Sequence, residues 1–391
     1  MDWKSATVNE GATKIPDRWL HLYYYEALNI LFRFENALRI FVYVILKKEL
    51  QGKWDSAAIS EGATIRTETK KRIAQAREHG YLGYEVSSPM LYLNSGELTQ
   101  IITSEAYWKY FGPYFKASKS IILTKLQEIG TVRNSLAHFR PLKEDDIDLI
   151  KQNSKHVLLQ IEDCLTQLTS LSQVVPSNSD EGWYKELKSI GNEHLSTSLF
   201  FSRDQNWIRV ELGYKVPVLK RTQYGEEYFS YSVGNIRTSQ ILATCKAIRE
   251  NCVYVCEAPT HGTLDEQNNI VTKKRISLIF PRATLTAALN EIANEIRDAS
   301  LKIDNETELV SQDSLARGDL VEVKSATAMY KRAQNGQGYW SVQLQQLQTT
   351  LTDVDEVEFW GERTQYAHDF VSATAHYPWM PSSVSNPSWG F

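Results

Sequence analysis

Three side chains within a six-residue stretch are suited to chemistry on a phosphate group. Arg133, Asn134 and His138 lie in the segment GTVRNSLAHFRPL, residues 130–142. Histidine exchanges protons near neutral pH, and arginine carries a permanent charge on a planar group whose N–H donors match phosphate oxygens. Asparagine adds a neutral donor and acceptor. This set is sufficient to cleave RNA without a metal, with the histidine moving the proton and the arginine stabilising the charge.

The same residue types are also expected at the end of an ordinary helix. Pro141 disfavours helical dihedral angles at Arg140, so the helix is predicted to end near His138 or Phe139. In a regular helix Arg133 and His138 would point about 140° apart, and we expect the break to bring them to one side. Because basic and polar residues favour helix carboxyl ends anyway, the spacing alone leaves both interpretations open.

Long helices are predicted on both sides of this segment. Apolar residues recur at three- and four-residue spacings before it, and an acidic run that suits a helix amino terminus follows it. The helices are predicted at 17–50, 64–79, from Pro113 through His138, and at 144–171. The first 175 residues are therefore predicted to be entirely helical.

The pattern changes after residues 173–183, whose Pro, Ser, Asn and Asp content favours a linker. Beyond it, runs rich in β-branched and aromatic residues alternate with segments of helical periodicity. Helices are predicted there at 236–250, 282–300 and 338–351. The predicted fold class is multidomain α plus α/β, with an all-α helical bundle over 1–175 and a mixed α/β domain over 176–391.

Composition limits the classes of function. The formal charge of −4 and the pI of 6.1 argue against coating nucleic acid by bulk charge, although a local basic cleft remains compatible with them. The four cysteines show no CxxC spacing, which fits reduced thiols in a cytoplasmic protein. The first residues lack a signal-peptide pattern, and the apolar runs are too short for a bilayer. We therefore predict a cytoplasmic protein without a membrane partner or cofactor.

The RNxxxH pattern resembles the Rx4–6H motif of the HEPN superfamily (higher eukaryotes and prokaryotes nucleotide-binding domains). The segment LYYYEALNILFRFENALRIFVYVILKKEL is similar to the long first helix of the larger members, with Glu35, Asn36 and Arg39 in its ENxLR pattern. The helical segment that precedes the motif helix in this family is similar to LNSGELTQIITSEAYWKYFGPYF. The motif helix and the acidic start of the helix after it are similar to EIGTVRNSLAHFRPLKEDDIDLI. The resemblance covers about residues 15–172 and none of the carboxyl-terminal half.

The resemblance implies a helical domain that forms a homodimer, in which two motifs make one metal-independent endoribonuclease site. It implies catalytic roles for Arg133 and His138 and a supporting role for Asn134. The products would be a 2′,3′-cyclic phosphate (or 3′ end) and a 5′-hydroxyl. It further suggests RNA-targeting defence or toxin activity in a microbial cell, where a regulatory or antitoxin-like protein partner is possible.

Two alternatives accompany this interpretation. Some HEPN domains have signalling or scaffold roles, so the helical half is alternatively a non-catalytic RNA- or protein-binding module that only dimerises. Glu35, Asn36 and Arg39 are candidates for supporting the catalytic residues from positions next to them. The alternative for them is an internal salt-bridged face, which is common on long helices.

Two basic runs in the second half are candidate RNA-binding surfaces. In the first run Lys215, Lys220 and Arg221 are interleaved with tyrosines such as Tyr224, a composition typical of single-strand binding. The alternative is a β-hairpin whose tyrosines cover a sheet. The second run, VTKKRISLIFPR, adds Lys273, Lys274 and Arg275, and a solvated strand edge explains it equally well.

A further alternative concerns the segment RGDLVEVKSAT. Its Asp319, Glu322 and Lys324 resemble the ExK half of the PD-(D/E)xK nuclease motif, which would hold Mg²⁺ between carboxylates. Alternation in any half-exposed strand produces the same spacing, and no aspartate in a convincing strand precedes it.

Overall fold

The computed structural model describes residues 7–9, 12–14, 24–79, 89–140, 142–169, 171–258, 262–313, 317–333 and 337–347. The helices within these ranges are α1 (Tyr24–Leu50), α2 (Ile65–His79), α3 (Ser95–Thr103), α4 (Trp108–Phe111), α5 (Lys119–Ala137), α6 (Glu144–Thr169), α7 (Gly182–Lys188), α8 (Thr238–Thr244), α9 (Lys246–Asn251), α10 (Arg282–Ala287) and α11 (Leu289–Gln312).

The described strands form antiparallel pairs throughout. They are β1 (Thr7–Asn9), β2 (Ala12–Lys14), β3 (Ala58–Ser60), β4 (Ala63–Thr64), β5 (Gln173–Val174), β6 (Leu195–Phe201), β7 (Trp207–Lys215), β8 (Val218–Tyr224), β9 (Tyr228–Ile236), β10 (Tyr254–Ala258), β11 (Thr263–Leu264), β12 (Ile270–Val271), β13 (Lys273–Pro281), β14 (Val321–Arg332) and β15 (Gly338–Gln343). One sheet has the order β10-β13-β7-β6-β5, and a second has the order β15-β14-β9-β8. The chain is thus a mixed helix-and-sheet protein.

The long helices of the first half agree with the sequence prediction. Helices α2 and α6 begin and end within two residues of the predicted limits, and α1 ends at Leu50 as expected. Residues 17–23 of the first predicted helix lie outside the described residues. Burial follows the apolar periodicity only in part: Leu31 and Leu38 of α1 are buried, but Leu28 is 45% exposed, and residues 40–47 are buried on all sides of the helix.

Several local expectations were wrong. The helix predicted at 236–250 is divided into α8 and α9, and the one predicted at 282–300 is divided into α10 and α11, of which α11 continues to Gln312. The first half is not entirely helical, because Gly62, at a φ of +77°, makes the turn between β3 and β4. Helix α5 starts at Lys119 and not at Pro113, which lies in a separate 3-10 turn. The expected linker begins as a strand, since β5 pairs with β6. The segment GYWSVQ, expected to be helical, is strand β15, in which aromatic and β-branched residues suit pairing with β14.

Two clusters of buried apolar residues form the interior. The first is built from the helices of residues 24–171 and also includes Trp207, Tyr254 and Ile279 from the five-stranded sheet. The second fills the space between the two larger sheets and helices α7 to α11. The division into domains at residue 175 stays a prediction.

A buried lysine connects the two larger sheets. Lys274 of β13 is only 1% exposed, and its ammonium group donates to Asn235 Oδ1 at 3.1 Å and to Ile236 O at 2.8 Å, both on β9. It also donates to Leu347 O at 2.8 Å and lies 3.1 Å from Glu257 Oε1. Burial lowers the pKa of Lys274, and the Glu257 carboxylate opposes that change.

Replacement of this lysine tests its structural role. We expect Lys274→Met to lower the free energy of unfolding by about 3–5 kcal/mol, because Glu257 would keep a buried, uncompensated charge. Adding Glu257→Gln should recover part of the loss. The neighbouring exposed Lys273→Met should change stability by less than about 0.5 kcal/mol. Urea denaturation measures all three, and equal effects of the two lysine variants would contradict this role.

Candidate active site

A polar network on α1 lies beside the RNxxxH motif. Arg39 is paired with the Glu35 carboxylate one turn earlier and donates to Asn36 Oδ1 at 2.9 Å. Its guanidinium also donates twice to the carbonyl oxygen of Leu93, at 3.2 and 2.9 Å. Asn36 in turn donates to Phe32 O at 2.8 Å. These bonds hold Arg39 and Asn36 in place beside the Glu35 carboxylate.

The motif arginine joins this network from the neighbouring helix. Arg133 of α5 places Nε 3.7 Å from Glu35 Oε2, while the other oxygen of that carboxylate is paired with Arg39. The side chain of Arg133 is 36% exposed and that of Glu35 only 14%. One carboxylate thus lies between two guanidinium groups, and the outer guanidinium still reaches solvent.

Opposing influences act on the pKa of the inner arginine. Burial lowers the pKa of Arg39; the Glu35 carboxylate raises it, and the nearby Arg133 charge lowers it again. Glu35, Asn36 and Arg39 form the internal salt-bridged face that was predicted as the alternative for them. The contact between Glu35 and Arg133 also connects this face to the RNxxxH motif, which spacing along the sequence does not determine.

The end of α5 corrects the expected geometry of the motif. The helix runs to Ala137, and the N–H of His138 donates to Asn134 O at 3.1 Å, the bond of a regular turn. The predicted end near His138 is confirmed, but no break separates it from Arg133. Arg133 and His138 therefore remain about 140° apart around the axis, whereas Asn134 and His138 lie within about 40°. Pro141 lies outside the described residues.

The helix ends in a Schellman motif with an unusual residue. The N–H of Arg140 donates to Ser135 O at 2.9 Å and that of Phe139 to Leu136 O at 3.0 Å. Phe139 adopts a φ of +54°, a left-handed conformation that glycine normally occupies at this position. Its ring is 74% exposed, next to the exposed His138. For a non-glycine residue this conformation costs about 1–2 kcal/mol.

The first candidate RNA-binding run forms the expected hairpin. Strands β8 and β9 are joined by a turn in which Gly225 has a φ of +67°. Lys220 and Tyr224 are exposed on it, so these two candidates remain accessible. Arg221 is also exposed, but it donates to the carbonyl oxygen of Gln267 in a neighbouring loop.

The basic side chains of the second run lie on two opposite faces of strand β13. The prediction that Lys274 contacts RNA is wrong, because its ammonium group is buried and bonded inside the protein. Lys273 and Arg275 point to the opposite face of β13 and are exposed. Register places Lys215 of β7 directly opposite Lys273, so candidates from two separate runs share one sheet face.

The alternation in the sequence carried a signal for this division. Lys274 has the same parity as Ile276, Leu278 and Phe280, which all face the second core. A strand buried on one face therefore places Lys274 inside, among residues that share its side of the pleat. The three consecutive basic residues concealed that pattern.

The two carboxylates of the ExK alternative pair with different lysines. Asp319 is exposed and accepts from Lys302 at 2.6 Å, which lowers the pKa of Asp319. Glu322 accepts from Asn235 Nδ2 at 3.1 Å and lies 3.4 Å from Lys324. In the described part of the chain, His, Cys, Asp and Glu side chains form no cluster of three or more that could hold a metal ion.

Neither the helices nor comparison with known proteins adds an assignment. None of the helices in the described ranges has the length and apolarity to cross a bilayer. Comparison of the chain with protein-family models, with curated proteins and with solved structures finds no match.

The shared carboxylate provides a test of this site. We expect Glu35→Gln to lower the free energy of unfolding by about 1.5–3 kcal/mol, because two guanidinium groups would lose their common counter-charge. Glu26→Gln on the same helix removes an exposed pair with Lys151 and should cost less than about 1 kcal/mol. Denaturant unfolding compares the two, and similar losses would contradict a special role for Glu35.

Proposed function

We propose that the chain is a metal-independent endoribonuclease whose active site contains Arg133, Asn134 and His138. The observation that carries the proposal is the position of Arg133, held against Glu35 while its outer side reaches solvent. A positioned cation is what a developing phosphorane charge requires, since its stabilisation depends on donors that are already oriented. The resemblance to HEPN proteins supplies the reaction class and the microbial defence or toxin setting.

The chemistry follows from the two side chains. The 2′-oxygen of a ribose attacks the adjacent phosphorus, and the bond to the 5′-oxygen of the next nucleotide breaks. A neutral His138 accepts the proton of the 2′-hydroxyl, and the leaving 5′-oxygen takes a proton from water or from the protonated His138 of a second copy. Arg133 binds the non-bridging oxygens through parallel N–H donors. The products are a 2′,3′-cyclic phosphate and a 5′-hydroxyl.

The angle between the side chains supports a site shared by two copies. Arg133 lies at the edge of the α1 packing surface, whereas Asn134 and His138 are exposed on the outward face of α5. A partner motif facing this surface would bring a second arginine and a second histidine to the same groove. We propose a homodimer for this reason, with residues 1–175 catalytic and residues 176–391 serving recognition or regulation, including by a protein partner.

Cleavage in the presence of EDTA tests the proposal. We expect purified protein to cut single-stranded RNA under these conditions. His138→Ala should reduce the rate by about 10²–10⁴-fold and Arg133→Ala by about 10²–10³-fold. His156→Ala, which removes an exposed histidine on α6 that contacts Lys125, is the matched control and should keep full activity.

The outcomes separate this proposal from the non-catalytic alternative. RNA binding without cleavage, unaffected by His138→Ala, would select a binding or dimerisation module. Cleavage that both motif variants retain in full would show that another site acts.

The strained Phe139 gives a second, independent test. Residues in costly backbone conformations are concentrated at functional sites, and an exposed aromatic ring beside His138 offers a stacking face for a nucleobase. We expect Phe139→Gly to raise the free energy of unfolding by about 1 kcal/mol and to lower RNA cleavage roughly tenfold. Phe139→Tyr should preserve cleavage. A glycine variant that is more stable and fully active would contradict a role in catalysis.

A further inference from the structure

Three exposed cations meet on the outer face of the five-stranded sheet. Lys215 ends β7, Lys273 begins β13 directly opposite it, and Arg275 follows two residues later on the same face. Like charges at directly opposed positions of an antiparallel pair are destabilising. Among the ion pairs formed within the described residues, none involves any of these three side chains.

The sheet surface between these cations is kept flat by a glycine. Lys273 reaches across β7 and donates to Ser196 Oγ on β6 at 2.6 Å. It passes over Gly213, where an added Cβ would lie 2.7 Å from Lys273 Cε and 3.0 Å from Ser196 Oγ. We call the surface formed by Lys215, Lys273, Arg275, Ser196 and Gly213 the basic strip.

The strip is bounded at one end by other residues of the same face. Farther along the same face Glu211 lies 3.7 Å from Arg209, so the nearest carboxylate on β7 faces a cation of its own. Beyond that pair, Trp207 and Ile279 pack into the first core with the helices. The opposite face of these strands is occupied by the second core. The uncovered part of the outer face is therefore positive and polar.

We infer that the basic strip binds the sugar-phosphate backbone of single-stranded RNA. The inference rests on the proposed ribonuclease function for the identity of the polyanion. Exposed cations without carboxylate partners and a flat backbone suit phosphate groups and carry no base-specific pattern, while the Ser196 hydroxyl donates to Gly213 O and helps to hold Lys273. Bound phosphates would also offset the repulsion between Lys215 and Lys273.

The strip and the motif lie on different elements of the chain. The motif lies where α5 ends and α6 begins. The other end of α6 contacts the five-stranded sheet, because Cys164 of α6 and Trp207 of β7 line one cavity of about 220 Å³. Helix α6 has 26 residues and is about 39 Å long. The strip lies at the opposite end of β7 from Trp207, about 26 Å farther along the strand.

A binding measurement tests the inference separately from catalysis. The probe is a fluorescein-labelled 30-nucleotide poly-U strand, and its anisotropy is titrated with the His138→Ala protein in EDTA. Adding Lys215→Gln, Lys273→Gln and Arg275→Gln should weaken binding at least tenfold near 0.1 M salt. The slope of log affinity against log salt should fall by about 2, as expected when three phosphate contacts are lost.

A matched variant removes the same charge elsewhere. Lys70, Lys71 and Lys155 are exposed on α2 and α6, and their replacement by glutamine should change affinity by less than about twofold and the slope by less than about 0.5. In the active protein, the strip variant should raise KM for the 30-nucleotide strand. Equal binding by the strip variant and its parent would overturn the inference, whether or not the chain cleaves RNA. Equal losses in the strip and control variants would overturn it as well.

Discussion

The Glu35 carboxylate is the interaction on which the candidate site depends. It binds Arg39 on its own helix and Arg133 on α5, so one acidic group fixes both the inner and the outer guanidinium. Without it, two like charges would face each other at a partly buried position, a cost of about 1.5–3 kcal/mol. The carboxylate also sets the position of Arg133, which remains half-exposed at the helix edge. Structural stability and the proposed chemistry therefore use the same group.

The end of α5 adds the second constraint. Regular hydrogen bonding through His138 keeps Arg133 and His138 on different sides of the helix, and Phe139 takes a strained conformation to close the last turn. In a single chain, His138 and Asn134 therefore face solvent on the outer side of α5, whereas Arg133 lies at the edge that packs against α1. That arrangement suits a groove completed by another copy better than a site built within one chain.

Helical periodicity predicted the long helices because burial on one face leaves a repeating pattern in the sequence. The same reasoning predicted that α5 ends near His138 but attributed to Pro141 a break that regular bonding excludes. The contact of Arg133 with Glu35 joins residues 98 positions apart, and no local pattern encodes it. Parity within β13 could have placed Lys274 inside. The register that sets Lys215 against Lys273 depends on strand pairing, which spacing along one strand does not determine.

Mixing two inactive variants tests the shared site most directly. Arg133→Ala and His138→Ala proteins are each assayed in EDTA on the 30-nucleotide strand, then mixed, allowed to exchange subunits and assayed again. If arginine from one copy acts with histidine from the other, half of the dimers are mixed and each contains one intact pair. The mixture should then recover roughly a quarter of wild-type activity. A mixture that stays as inactive as its components, although subunit exchange is demonstrated, would contradict the account.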